Sequence, residues 1–413
     1  MDVAGFPHQV GGHFGLLKCA GHVLKPLNNR ELAFYKAIDA RLAGFTVKYC
    51  GRIRVNLRGC DDGQLALSTD AAVECHNLEA PLAPGLPDAH QHESASSSTA
   101  SSEASCSDDG AEQPPMTFRV KKGGKVEAEM AVNTWAGQCQ SKVVEKLYKG
   151  YDRWFIMLED VVSGFRKPCV IDLKMGQRQY GDDSSAQKKL SQTQKCRAST
   201  SEELGVRMVG MQLYDRTTKT YSFVNKYEGR RMDKTKLHAS LETFFVAAGI
   251  RRTKRLLTKL HELRVVLAAA ESFRFFSSSL LISFDGAISD PIESVEPAPI
   301  VPEIDSEDTN DSTHSHDQPR DSISVKMIDF AHSTFDGFLE DKLYPGADEG
   351  YLLGVDSLIA ILEQILSTST LFHCEATSMP DLGIKKQRSL KRPYTTPPCE
   401  AIPPPPPVVP SSF

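Results

Sequence analysis

Nine residues, Pro168-Cys-Val-Ile-Asp172-Leu-Lys174-Met-Gly176, constrain the fold of this chain more than any other segment. Side chains alternate along an extended backbone, so Asp172 and Lys174 share one side while Cys169, Ile171 and Leu173 turn towards a core. The run reads as a strand with an apolar back and a charged front. Pro168 lacks a ladder donor and fits a strand start, and Gly176 lets the backbone leave the sheet sharply, close to a ligand. A carboxylate beside an ammonium suits phosphate chemistry. The plainer reading is a solvated strand face carrying a weak surface pair.

With 413 residues and 40 % hydrophobic content, the chain can bury a core for one large domain or two lobes. Its 10 cysteines include no Cys-x-x-Cys pair and no adjoining histidine cluster, which argues against a zinc site or a disulfide framework and favours reducing cytosol or nucleus. No basic-then-apolar leader and no run of 18 apolar residues occurs, so no transmembrane segment is expected. Charge is unevenly spread. Residues 74–115 hold eight acidic and no basic side chains, and residues 286–322 ten against one, which leaves about +12 for the rest of a chain whose net charge is −5. The folded part is basic and favours a polyanionic ligand: a nucleotide, an inositol phosphate, a membrane headgroup or nucleic acid.

Residues 84–115, rich in Ser, Ala, Pro, Asp and Glu, cannot bury enough apolar surface to order themselves, and 286–322 repeat that composition. The C-terminal stretch carries Lys385, Lys386, Arg388, Lys391 and Arg392 ahead of five prolines from Pro403. That run is either an adaptor-domain ligand in polyproline II form or a solvated tail. Between these segments, glycines 11, 12, 15 and 21 punctuate short strands, and Asn29 is positioned to cap a helix with Leu32, Tyr35 and Ile38 on one face. Arg52–Leu57 and Phe155–Leu158 read as strands, and Asp233 caps a helix that ends near Gly249. Leu256, Leu260, Leu263 and Leu267 mark the next helix, and Tyr351–Leu366 a core helix. Residues 278–284 and 323–330 make an antiparallel hairpin around the second acidic insert.

The signature Pro-x-x-x-Asp-x-Lys-x-Gly resembles that of the inositol polyphosphate kinase family, and Asp172-Leu-Lys-Met-Gly-Gln-Arg-Gln-Tyr-Gly-Asp-Asp183 is most similar to its inositol hexakisphosphate kinase branch. Gly205-Val-Arg-Met-Val-Gly-Met-Gln-Leu-Tyr214 and Arg274-Phe-Phe-Ser-Ser-Ser-Leu-Leu281 favour the same branch. The resemblance implies a two-lobed α+β fold, distantly like a protein kinase. It divides the chain into a first part of the N-lobe (1–83), a disordered insert (84–115), the rest of that lobe with the hinge (116–162) and a C-lobe with the signature (163–285). A second insert (286–322), a metal strand with a core helix (323–371) and a Pro-rich tail (372–413) complete it.

By the same resemblance Lys174 and Asp172 are the catalytic pair. Lys174 would reach both the transferred phosphate and the inositol phosphate. Asp172 would accept a proton, orient the ribose or orient Lys174. Asp329, in Met327-Ile-Asp-Phe330, would hold the Mg²⁺ that accompanies ATP, and Ser279 would lie beside the nucleotide phosphates. Lys25 corresponds to the phosphate-binding lysine, with Glu31 as its possible partner, while backbone atoms of Glu159 and Val161 would meet the adenine edge. On residues 184–197, Lys188, Gln192 and Lys195 share one face if the segment is helical, either as a solvated surface or as an inositol phosphate-binding rack. His332, Arg178 and Arg207 complete the acceptor candidates.

These expectations describe a kinase that transfers the γ-phosphate of ATP to a phosphate of inositol hexakisphosphate. Protein partners would engage the acidic inserts and Pro-rich tail, and no nucleic acid is implied. Rival readings are an inositol polyphosphate multikinase acting on free hydroxyls and a catalytically silent polyphosphate-binding scaffold. A protein kinase is disfavoured, because the chain lacks His-Arg-Asp and Gly-x-Gly-x-x-Gly.

Overall fold

The computed structural model describes residues 1–12, 14–60, 63–69, 116–129, 131, 133–151, 153–288, 322–339 and 342–377. The insert expected at 84–115, nearly all of that at 286–322, and the basic and proline-rich part of the tail lie outside the described residues. Met1–Thr370 forms one compact unit; of the other, Leu371–Phe413, only the helical backbone of residues 371–377 is described.

The N-terminal part builds a nine-stranded sheet from β1 (Asp2–Gly5), β2 (Leu17–Cys19), β3 (His22–Pro26), β4 (Tyr49–Arg54), β5 (Asn56–Gly59), β6 (Gln64–Ser68), β7 (Thr117–Val120), β8 (Val126–Glu129) and β9 (Trp154–Glu159). Its order is β4-β9-β3-β2-β1-β6-β7-β8, with β5 beside β6. The strand expected at 52–57 is broken at Val55, whose N–H bonds to Arg153 O as the chain changes neighbours: β4 pairs with β9, β5 with β6. Among the helices of this part, α1 (Asn29–Ala37) and α2 (Ala40–Ala43) precede β4, and α3 (Thr134–Tyr148) precedes β9. Asn28, rather than Asn29, caps α1 by accepting from Glu31 N. On α3, Ala136, Val143, Val144 and Leu147 pack against Phe118, Val126 and Phe155.

The C-terminal part comprises β10 (Pro168–Met175), α4 (Ala186–Arg197), α5 (Ser201–Leu204), β11 (Val206–Asp215), β12 (Thr220–Val224), α6 (Lys226–Arg231), α7 (Lys234–Ala248), α8 (Ile250–Ala268), β13 (Ser279–Asp285), β14 (Ile323–Ile328) and α9 (Glu349–Thr377). Five antiparallel strands run in the order β12-β11-β10-β13-β14. The signature strand is therefore central. Its charged front is covered, and Asp172 is only 3 % exposed, so the solvated-face reading fails. Asp233 caps α7 and Gly249 ends it, as the sequence indicates. Glu349–Thr368 has the length and composition of a membrane span, yet Tyr351, Val355, Leu358 and Leu362 are buried in the core.

Helix α1 does the most to position the site. Leu32, Phe34 and Tyr35 join the core built on the five-stranded sheet rather than the core of their own sheet. Phe34 stacks on Phe330 with centroids 4.8 Å apart and meets Phe273, Phe275, Phe335 and Phe338 edge-on. Aromatic contacts of this kind add to area burial. The packing brings Glu31 against the end of β14, and Met327 N donates to Phe45 O.

Candidate active site

Strand register sets out the central row. Arg207 on β11 lies opposite Lys174 on β10, which lies opposite Ser279 on β13, which lies opposite Ile328 on β14. Directly opposed residues in antiparallel strands project to the same side, so Arg207, Lys174 and Ser279 share a face. One residue beyond Ile328 the strand stops: Asp329 has φ 67°, a left-handed conformation that an aspartate tolerates better than most residues. Ser277, before β13, has φ 62°. Its carbonyl accepts from Lys174 Nζ at 2.5 Å, and Ser279 Oγ lies 3.4 Å from the same nitrogen.

From the other sheet comes Lys25 on β3. Its Nζ donates to Asp329 Oδ1 at 2.6 Å and to Glu31 Oε1 at 2.7 Å, and that Glu31 oxygen also accepts from Phe330 N at 3.1 Å. Burial alone would lower the pKa of Lys25, but Asp329 and Glu31 outweigh it and hold the ammonium charged. Lys174 is in the opposite condition. Burial takes it below the usual lysine range despite Asp329 and Asp172, with Arg207 and Lys25 adding to the fall. A desolvated ammonium without a strongly bonded carboxylate gains from an arriving phosphate.

Asp172 sits under the N-terminal segment. A Cβ on Gly11 would come 1.7 Å from Asp172 Oδ2, and one on Gly210 would come 1.9 Å from Val10 O; only glycine permits this approach at either position. Oδ1 is buried without a hydrogen-bond partner. Burial, opposed by Lys174 and reinforced by Asp329, pushes the carboxyl up to about 6. An unfolded aspartate titrates near ~3.9. The folded state thus holds the proton more tightly, and this stabilising contribution, complete below about pH 4, is lost as pH rises through about 6. Asp172→Asn is accordingly expected to raise the thermal midpoint at pH 8, by the equivalent of about 2–3 kcal/mol, with the gain vanishing near pH 4. A midpoint that falls at pH 8 would refute the charge-burial account.

On the acceptor side, α4 is capped by Ser185, and Lys188, Gln192 and Lys195 share a helical face as expected. Lys188 Nζ lies 3.1 Å from His332 Nε2. Burial first, then Lys188, depresses the histidine, so the neutral ring accepts from the ammonium at physiological pH. Arg178 is held elsewhere. It bonds Asp182 at 2.6 Å and Tyr344 Oη at 2.8 Å, lies 3.9 Å from the Phe276 ring centroid, and lines a cavity of ≈ 270 Å³ beside the start of α9. Lys25, Lys174 and Asp329 do not line that cavity.

At the connection after β9, Glu159 exchanges bonds with Lys48: its N–H donates to the Lys48 carbonyl, and its carboxylate accepts from Lys48 N. The Val161 amide makes no hydrogen bond among the described residues. Sequence reasoning overlooked the close approach of Gly11 to Asp172, although paired glycines are its usual signal.

Two sheets joined by a short connection, a lysine and a carboxylate converging from opposite sides, and a second lysine on the central strand define an ATP-dependent phosphotransferase. Residues 155–363 match the family model described as inositol polyphosphate kinase, and the chain belongs to that family. It is 35 % identical to inositol hexakisphosphate kinase 1 of Rattus norvegicus, over 87 % of this chain and 92 % of the relative. It is 33 % identical to inositol hexakisphosphate kinase 3 of Homo sapiens, over 87 % and 94 % respectively. The S. cerevisiae inositol phosphate multikinase structure, in complex with ADP and Mn²⁺, aligns at 26 % identity over 52 % of this chain and 84 % of its own, with a TM-score of 0.40.

Proposed function

We propose that the protein transfers the γ-phosphate of ATP to a phosphate of inositol hexakisphosphate, giving diphosphoinositol pentakisphosphate. The observation that carries this reading is the meeting of Lys25 and Asp329 beside Lys174, with Arg207 on the same face as Lys174. A phosphate oxygen of the acceptor forms the new bond to the γ-phosphorus as the bond to the β–γ bridging oxygen breaks, and ADP leaves with that oxygen. The attacking oxygen is already ionised, so catalysis is positioning and charge stabilisation rather than proton removal. Lys174 spans donor and acceptor phosphates; Lys25 and Ser279 serve the nucleotide; Lys188, Gln192, Lys195, Arg207 and His332 receive the acceptor. Asp172, covered by Gly11, acts as the counter-charge that positions Lys174.

Asp329 fits the Mg²⁺ of the nucleotide. Its carboxylate is a hard oxygen donor at a strand end, and among the described residues no group of three His, Cys, Asp or Glu side chains could hold an ion unaided. The remaining ligands would be phosphate oxygens and water, which Mg²⁺ prefers. When bound, the ion neutralises charge on the β- and γ-phosphates. Val161 N–H is suited to the adenine edge.

The test is product analysis. Purified full-length protein with Mg-ATP and inositol hexakisphosphate is expected to yield a product that bears a diphosphate group, together with ADP. Phosphorylation of free hydroxyls on lower inositol phosphates alone would favour the multikinase reading. Binding with no turnover would favour a scaffold.

A further inference from the structure

Helix α8 opens against its own electrostatics. Arg251, Arg252, Lys254, Arg255 and Lys259 all fall early in it, no acidic residue occupies its first turn, and its first carboxylate is Glu262. Cations at a helix N-terminus oppose the macrodipole, and Arg251, Arg255 and Lys259 repel one another at four-residue spacing. Lys254 and Arg255 are exposed, while Arg251, Lys259 and Lys326 of the adjoining β14 are half-buried. Burial first, then Lys326, holds Lys259 below the usual lysine range; Glu262 opposes the fall and Arg255 adds to it. Among the described residues Lys254, Lys259 and Lys326 form no ion pair with a carboxylate. Both ends of the second acidic insert are fastened along this strip. Arg252 donates to the Ile288 carbonyl at 3.1 Å where the chain leaves β13, and Lys259 donates to the Ile323 carbonyl at 2.7 Å where it enters β14. Those two positions lie roughly 10 Å apart along the helix axis. Between the two carbonyls, residues 289–321 carry ten acidic side chains and one basic.

We propose that the basic strip of α8 and β14, formed by Arg251, Lys254, Arg255, Lys259 and Lys326, is the docking surface for the chain's own acidic insert, residues 289–321. Charge complementarity and attachment at both ends select this occupant. A segment joined to both edges of the strip meets it at far higher effective concentration than a free polyanion does, and its carboxylates supply the negative charge that the start of α8 lacks. The cations are largely solvated, so the contact is multivalent and salt-sensitive rather than strong in any one pair. Helix α8 shares its core with Ile171 and Leu173, which project from β10 away from Asp172 and Lys174. The seat therefore holds the insert's carboxylates behind the five-stranded sheet, off the cationic face that bears Lys174 and Arg207.

A double-mutant cycle in the full-length protein tests this. One variant reverses the exposed cations, Lys254→Glu with Arg255→Glu. A second neutralises part of the insert, Glu303→Gln, Asp305→Asn, Glu307→Gln and Asp308→Asn, and a third combines the two sets. At low ionic strength the reversal is expected to lower the thermal midpoint by about 2–4 °C. That loss should fade in about 1 M salt and be absent or inverted when the insert is neutralised. Without docking the sign in the parent is the opposite, because the reversal relieves repulsion around Lys259 and suits the helix dipole. A midpoint that rises, or that falls equally in both backgrounds, overturns the proposal. Carbodiimide coupling gives an arm that does not depend on stability: isopeptide bonds from Lys254, Lys259 or Lys326 to carboxylates of residues 290–321 are expected within one chain. Couplings that join isotopically distinct copies instead would assign the strip to a second molecule. Binding of the parent to phosphatidylserine vesicles, lost in the reversed variant, would assign it to a lipid surface. Either result overturns the intramolecular seat.

Discussion

Lys174→Met is expected to lower kcat by about a thousandfold or more, with KM for ATP changed only a few-fold. Methionine keeps the apolar stem and approximate volume inside the sheet, so what is lost is the ammonium. Among the described residues that group bonds a carbonyl and a serine hydroxyl, and burial already lowers its affinity for the proton. Charge developing on a phosphoryl group in transit is where such a cation contributes most, because it is held in place before the reaction begins. Steady-state kinetics together with nucleotide binding by calorimetry checks this. Turnover within about tenfold of the parent would remove Lys174 from the centre of the mechanism.

Asp329→Asn carries the second large effect: a fall in kcat of about a hundredfold to a thousandfold, with a higher Mg²⁺ concentration needed for half-maximal rate. Asparagine is the proper replacement because it also tolerates the left-handed conformation at φ 67°, whereas alanine would add backbone strain to the loss of charge. With the carboxylate gone, Lys25 retains its bond to Glu31. The Mg²⁺ titration separates the two roles. A variant with reduced turnover but the parent's Mg²⁺ dependence would mean that Asp329 serves only to hold Lys25.

Local signals carried much of the architecture. Alternation in Pro168–Met175 made a strand, Asp233 and Gly249 bounded α7, and leucines at helical spacing marked α8. Where the reading slipped, the cause was a contact with a distant segment. Val55 is drawn away by Arg153, so one expected strand becomes two. Placing β10 between β11 and β13 buries a carboxylate that a solvated front would have left in water. The candidate residues were also unequal in the fold: Lys25, Lys174, Ser279 and Asp329 come together with Glu31, while Arg178 is committed to Asp182 and a set of aromatic rings.

The sequence by itself determined which residue types face which way along each element, because periodicity and caps act over a few residues, and its motifs pointed to phosphate chemistry. Tertiary structure alone decided the electrostatics. Lys25 and Asp329 are 304 residues apart, Gly11 closes over Asp172 from the connection between β1 and β2, and Arg207 comes level with Lys174 and Ser279 only through the register of three strands. The strength of a charge depends on its solvent exposure and on its neighbours in space, and neither is written in the spacing of residues along the chain.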